Sequence, residues 1–194
     1  MSKIERRTEI MEAVEHLLAR GGVEAVTMRG VAAEAGVSLR LVQYYGSTKD
    51  ELLIATLDRL ADKSVQRWCA RATRQEACGS SLEVVEAFFD EALPTDRASR
   101  DFHRLGVSME GLAITHPAMA GKAYQKHLRG LADHLTGVLH AGGLGRQEAR
   151  RLALEVMGLA HGVGTLLMTD QLAESDARAL VRDYLERLGP RLSP

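Results

Sequence analysis

TMRGVAAEAGVSLRLVQYYGSTKDE, residues 27–51, decides how this chain is read. The pattern is helix, tight turn, short helix, cap and a third helix. Thr27 stands where a hydroxyl can accept one of the N–H groups left unsatisfied at a helix start. Met28, Val31, Ala32 and Ala35 follow at helical spacing and form the inward side. Gly36 stops that helix, because glycine enters the left-handed region at little steric cost. Val37 plugs the turn, and Ser38 caps a second, short helix. Leu39, Arg40, Gln43 and Tyr44 share one side of it, while Val42 and Tyr45 lie on the other with Ser38.

A short helix held by a glycine turn, with Arg, Gln and an aromatic facing outward, fits a recognition helix in a DNA major groove. Arg40 and Gln43 are the base-reading candidates, since Arg matches the two acceptors of guanine and Gln suits adenine or a phosphate. Arg29, in the first turn of the preceding helix, is a candidate for a guanine or phosphate. Leu39 and Tyr44 are placed for a thymine methyl or a sugar. Thr27, Ser38, Tyr45, Thr48 and Lys49 are candidates for phosphate contacts, which position the protein without reading sequence. The plainer readings are capping alone for Thr27, Ser38 and Thr48, and solvated surface for Arg29 and Tyr44.

Composition sets the frame around this motif. The chain has 194 residues, of which 45% are hydrophobic, 26% charged and 4% aromatic, so its core must be built from Leu, Val and Ala. No stretch alternates with period two for long enough to form a sheet. No apolar run is expected to approach the roughly 18 residues of a membrane span. MSKIERRTEI lacks the apolar centre of a signal peptide, and a cytoplasmic location is expected. Net charge is −1, and residues 1–50 hold seven Lys or Arg against seven Asp or Glu. Nucleic-acid binders are commonly basic. Here Glu5, Glu9, Glu12 and Glu15 fall in the first helix, whereas Arg29, Arg40 and Lys49 fall in the motif, so a local positive patch is expected in a neutral segment. Cys69 and Cys78 read as reduced packing or surface residues, not a disulfide.

The rest of the chain reads as further helices. The first is expected from Ile4 to Arg20, with Ile10, Val14, Leu17 and Leu18 inward and Gly21-Gly22 at its end. A capping pattern at Thr48-Lys49-Asp50-Glu51 opens a helix that carries Leu53, Leu57 and Leu60 to about Arg71. Thr73–Ser81 is the first long connection. Helices are expected over about Leu82–Leu93, Arg97–Ile114, Ala118–Ala141, Arg146–Met168 and Ser175–Leu188, the last capped by Ser175. The tail GPRLSP is expected to fray. The fold class is all-α, about nine helices. A helix-turn-helix domain over 1–47 is followed by a helical ligand-binding and dimerisation domain over 48–194.

Residues 5–60 resemble the N-terminal domain of the TetR (tetracycline-repressor) family of transcriptional regulators. Gly22 through Thr27 is similar to that family's entry to its second helix. Val31-Ala32 and Ala35-Gly36-Val37-Ser38 are similar to its IA…AGVS run, and Tyr45, Lys49 and Leu52-Leu53 to its Y-F-x-S-K-E-x-L-L close. The chain departs from the pattern at Arg40, where Gly or Ala is usual, at Gln43 for Tyr, and at Gly46 for Phe. Those changes bear on the operator sequence rather than the fold. Gly158–Met168 followed by Ser175–Leu188 has a likeness to the betaine-responsive type of regulator. The resemblance implies a homodimeric repressor that binds palindromic double-stranded operator DNA and is released by a small molecule.

The C-terminal residues are weighed on that basis. Trp68, Phe88, Phe89, Phe102, Met109, His161 and Met168 are candidate lining for an apolar or amphipathic effector, against the plainer reading of core packing. Gly158, Gly162 and Gly164 lie in one apolar helix, and three interior glycines at about 1 kcal/mol each imply close approach of another helix. Leu152, Val156 and Val163 there, with Leu180, Val181, Tyr184 and Leu188 in the last helix, are candidates for a dimer interface. His127 and His134 stand seven apart, wider than metal pairs favour, so no metal or other cofactor is expected. No phosphate-cradling loop, nucleophile elbow or H-E-x-x-H occurs, so an enzyme is not expected. The alternative is a helical homodimeric protein-interaction module that does not bind DNA.

Overall fold

A computed structural model describes residues 3–74, 80–115, 117 and 122–192. Among these the chain is helical throughout, as α1 (Lys3–Ala25), α2 (Met28–Glu34), α3 (Leu39–Tyr45), α4 (Lys49–Arg74), α5 (Ser81–Ala92), α6 (Arg97–Thr115), α7 (Lys122–Ala141), α8 (Arg146–Met168) and α9 (Glu174–Leu192). Cys78, His116 and the side chain of Cys69 lie outside the described residues.

The chain divides into two compact units, residues 1–61 with 104–125, and residues 62–103 with 126–194. In the first unit Ile10, Val14, Leu18, Val26, Val31, Val42, Leu52, Leu53 and Leu57 are buried, so the expected apolar stripes of the motif do converge. Gly22 breaks α1 at φ 66°, and the chain then makes one further turn to Ala25. Gly36 occupies the left-handed region at φ 62° between α2 and α3.

The second unit is built around Trp68, Phe88, Phe89, Leu135, Leu139, Leu152, Val156 and Leu188. The last helix differs from expectation. It starts at Glu174, with Ser175 inside its first turn, and continues through Pro190 to Leu192. Leu188 and Leu192 are both buried, so the packing of this last turn outweighs the hydrogen bond that proline removes.

α8 also exceeds expectation. Its length and composition suffice to cross a bilayer, with a mean hydropathy of 1.2 over an 18-residue window, 33% of it buried. A helix packed on its own chain along one face and on a second protein along the other has the same composition.

Candidate functional site

Local hydrogen bonds fix the helix-turn-helix. Thr27 Oγ1 accepts from the Gly30 N–H at 2.9 Å, and Ser38 Oγ accepts from the Leu41 N–H at 3.3 Å. Gly30 matters for the first cap: a Cβ there would fall 2.8 Å from Thr27 Oγ1. At the next junction Glu51 N–H donates to Thr48 Oγ1 at 3.2 Å, and Glu51 Oε2 accepts from the Ser47 N–H at 2.7 Å. Each cap leaves its residue exposed or half-buried, so hydroxyls at 27, 38 and 48 lie at the surface.

The outer side of α3 is as expected from spacing. Arg40 and Gln43 are exposed, Tyr44 is 64% exposed, Leu39 is half-buried, and Val42 faces the core. Tyr44 meets the ring of Tyr45 edge-on at 5.1 Å, one of the preferred arrangements of an aromatic pair. Arg29 is exposed on α2 and Lys49 half-buried at the start of α4.

Charge pairing explains how a neutral segment presents a basic face. Arg59 Nη2 reaches Glu12 and its Nε reaches Glu15, both at 2.8 Å. Arg6 holds Glu9 at 3.1 Å, and Arg20 and His16 hold Glu34. The Arg20 hydrogen bond keeps the Glu34 carboxyl below its ordinary range. No carboxylate among the described residues pairs with Arg29, Arg40 or Lys49. Glu9, Glu12, Glu15 and Glu34 are thus engaged elsewhere, and the motif keeps its cations. Arg59 was not legible as part of this site, because it lies 47 residues from Glu12 in sequence.

The residues expected to line an effector site are distributed between the units. Met109 is buried in the first; Trp68, Phe88, Phe89, Phe102, His161 and Met168 belong to the second. There the rings form a ladder of edge contacts. His134 meets Trp68 at 5.0 Å, Trp68 meets Phe88 at 5.4 Å, Phe88 meets Phe89 at 6.1 Å, and Phe89 meets Tyr184 at 5.8 Å. Trp68 Nε1 donates to the Val84 carbonyl at 3.2 Å. Buried Glu91 accepts from Arg67 Nε at 2.8 Å and from Ser64 at 3.1 Å. Phe102 meets His127, and His103 meets His161, each at 5.9 Å. Sequence spacing did not single out His103, whose partner lies on another helix.

The interface stripe on α8 requires correction. Leu152, Val156, Val163, Val181 and Leu188 are buried within the chain's own core, so they cannot also face a partner. Only Leu180, at 37% exposure, and half-buried Tyr184 keep outward surface from that set. The outward apolar surface of α8 is instead Leu154, Gly158, Gly162 and Leu166. An added Cβ at Gly158 or Gly162 meets nothing within 4 Å, whereas at Gly164 it would meet His103 and Pro94. One glycine of the three therefore serves packing inside the chain.

Residues 10–56 match the family model for bacterial regulatory proteins of the tetR family, and residues 81–190 match the C-terminal domain of BetI-type transcriptional repressors. Over 83 residues the chain is 36% identical to the HTH-type transcriptional regulator BetI of Rhizobium meliloti, a match that spans 41% of each protein. A TetR-family transcriptional regulator from Rhodococcus sp. has the same fold, with a TM-score of 0.79 and 17% identity over 98% of this chain and all of that one. A transcriptional regulator from Saccharomonospora viridis, solved with choline, superposes with a TM-score of 0.70 and 22% identity over 96% of both chains.

Proposed function

The chain belongs to the TetR family of DNA-binding transcriptional regulators, with a BetI-type C-terminal domain, and from that premise we propose that it is a homodimeric cytoplasmic repressor released from its operator by a small molecule. Residues 1–47 read DNA in this proposal, and residues 48–194 bind the effector and the partner. Arg40 and Gln43 touch base edges, with Arg29, Leu39 and Tyr44 beside them. Thr27, Ser38, Tyr45, Thr48 and Lys49 meet phosphates. The observation that carries the reading is the exposed side of α3, flanked by three surface hydroxyls and by cations that no carboxylate among the described residues pairs with.

Dimerisation is supported by the outward surface of α8. Gly158 and Gly162, four residues apart and open to space, let a second helix approach closely between Leu154 and Leu166. A two-fold dimer presents two copies of α3 to successive major grooves about 34–36 Å apart, which requires a palindromic site. The effector is supported by the ring ladder around Trp68, which suits a ligand with an apolar body. Such a ligand releases DNA only by binding the non-DNA-binding arrangement more tightly, so operator DNA weakens the ligand by the same factor.

The test is capture of genomic DNA fragments by the purified protein, followed by gel shift on the enriched sequence. The expected site is palindromic, with affinity that falls steeply with salt as phosphate contacts release counterions. Absence of an enriched site, or affinity indifferent to salt, overturns the DNA reading and leaves the protein-interaction module.

A further inference from the structure

Gly46 is buried between the last turn of α3 and the first turn of α4, and it has no room for a side chain. A Cβ there would fall 2.5 Å from Leu52 Cδ2 and would also crowd Leu52 Cγ and the Leu52 backbone nitrogen. A side chain at residue 46 forces one of the two helices to move. They are not equally free to do so.

α4 is held firmly at this point. Thr48 and Glu51 cap it. The Leu52 N–H donates to the Thr48 carbonyl at 3.2 Å, and the Leu52 carbonyl accepts from Thr56 Oγ1 at 2.8 Å. Leu52, Leu53 and Thr56 are all fully buried. α3 has seven residues, of which Val42 alone is buried. Its first turn is tied by the Ser38 cap and by the Val37 N–H, which donates to the Ala32 carbonyl at 3.0 Å. Its last turn is tied to residue 46, whose N–H donates to the Val42 carbonyl at 3.0 Å. A side chain at residue 46 therefore pushes on the last turn of α3, where Gln43 and Tyr44 lie, and leaves Arg40 near the fixed end.

Resting on the reading of α3 as the recognition helix, we infer that Gly46 is a positioning residue for sequence recognition. Its missing side chain lets α3 seat on Leu52, and that seat sets where Gln43 meets a base edge. Hydrogen bonds weaken steeply as their angle closes, so a small displacement of the last turn costs base reading. Thr27, Ser38, Thr48 and Lys49 stand on the parts that stay in place, so contacts to phosphates survive the same displacement. Gly46 thus acts on which sequence is bound and not on whether DNA is bound.

The test compares the full chain with Gly46→Ala, Val14→Ala, Arg40→Ala and Gln43→Ala. Each binds the operator enriched from genomic DNA, its single-base variants and unrelated DNA. Gly46→Ala is expected to lower the preference for operator over unrelated DNA by about tenfold or more, the worth of one two-bond base contact, and to keep the affinity for unrelated DNA. The lost preference falls at the positions that Gln43→Ala relaxes, not at those of Arg40→Ala. Val14→Ala opens a cavity at a fully buried position of the same unit and keeps the wild-type preference, which separates positioning from lost stability. Gly46→Ala/Leu52→Val regains part of the preference, and it carries the same comparison if Gly46→Ala alone does not fold. A wild-type profile in Gly46→Ala, an equal loss on all DNA, relaxation at positions other than those of Gln43→Ala, or the same relaxation in Val14→Ala overturns the positioning role and retains the DNA reading. A wild-type chain that enriches no operator overturns both.

Discussion

Leu52 occupies the space that a side chain at Gly46 would need: a Cβ at residue 46 would fall 2.8 Å from Leu52 Cγ and 3.3 Å from its backbone nitrogen. Gly46 closes α3 at φ −162°, which any residue adopts, so the requirement for glycine is steric. Leu52 is fully buried at the root of α4 and cannot swing aside. Gly46→Ala is expected to cost about 1–3 kcal/mol, the range for overpacking a filled core. Urea unfolding reads the loss, and Leu52→Val in the same chain should recover part of it. Equal midpoints for wild type and Gly46→Ala would mean that α4 shifts freely at this point.

Arg40→Ala and Lys49→Ala are expected to differ in kind. Loss of a base contact costs about 1–3 kcal/mol and relaxes preference at one operator position. Loss of a phosphate contact weakens every sequence alike and lowers the salt slope by about one. Binding to a library of operator variants at two salt concentrations separates the two. An unchanged preference profile in Arg40→Ala removes that residue from the base-reading set.

Gly162→Leu tests the outer face of α8. The side chain enters open space in the single chain, and replacing a helix-interior glycine favours the helix by up to about 1 kcal/mol. The variant should therefore fold at least as well as wild type. It should nevertheless sediment as a monomer and lose operator binding, because two α8 helices can no longer approach closely. A variant that stays dimeric places the interface elsewhere.

The lowered proton affinity of His103 carries a sign. Its folded-state midpoint lies below that of the unfolded chain, so its contribution to stability is complete above the unfolded value near 6.5. The contribution is lost as pH falls through the folded value, because the unfolded chain binds the proton first. Thermal midpoints should thus drop on acidification below neutral pH, and His103→Gln should flatten that drop. A variant with the slope of wild type would mean that other groups set it.

Much of this was legible in the primary sequence because it depends on neighbours a few residues apart. The caps at Thr27 and Ser38, the turn at Gly36, the outward placement of Arg40, Gln43 and Tyr44, and the bounds of α8 all follow from local periodicity and hydroxyl chemistry. An amphipathic helix declares its apolar side through spacing alone.

Spacing does not say what covers that side. Leu152, Val156 and Val163 are apolar at helical intervals whether they face α5, α9 or a second copy, and only tertiary packing turned them inward and left Gly158 and Gly162 outside. The same limit hid Arg59 against Glu12 and Glu15, and His103 against His161, since the partners lie on different helices. It also hid the last turn of α9, where burial of Leu192 carries the helix past Pro190. Sequence determines which helices form and what each can offer, because those terms are local. Which surface is buried, which charge is neutralised and which histidines meet are sums over distant contacts, and only the folded chain decides them.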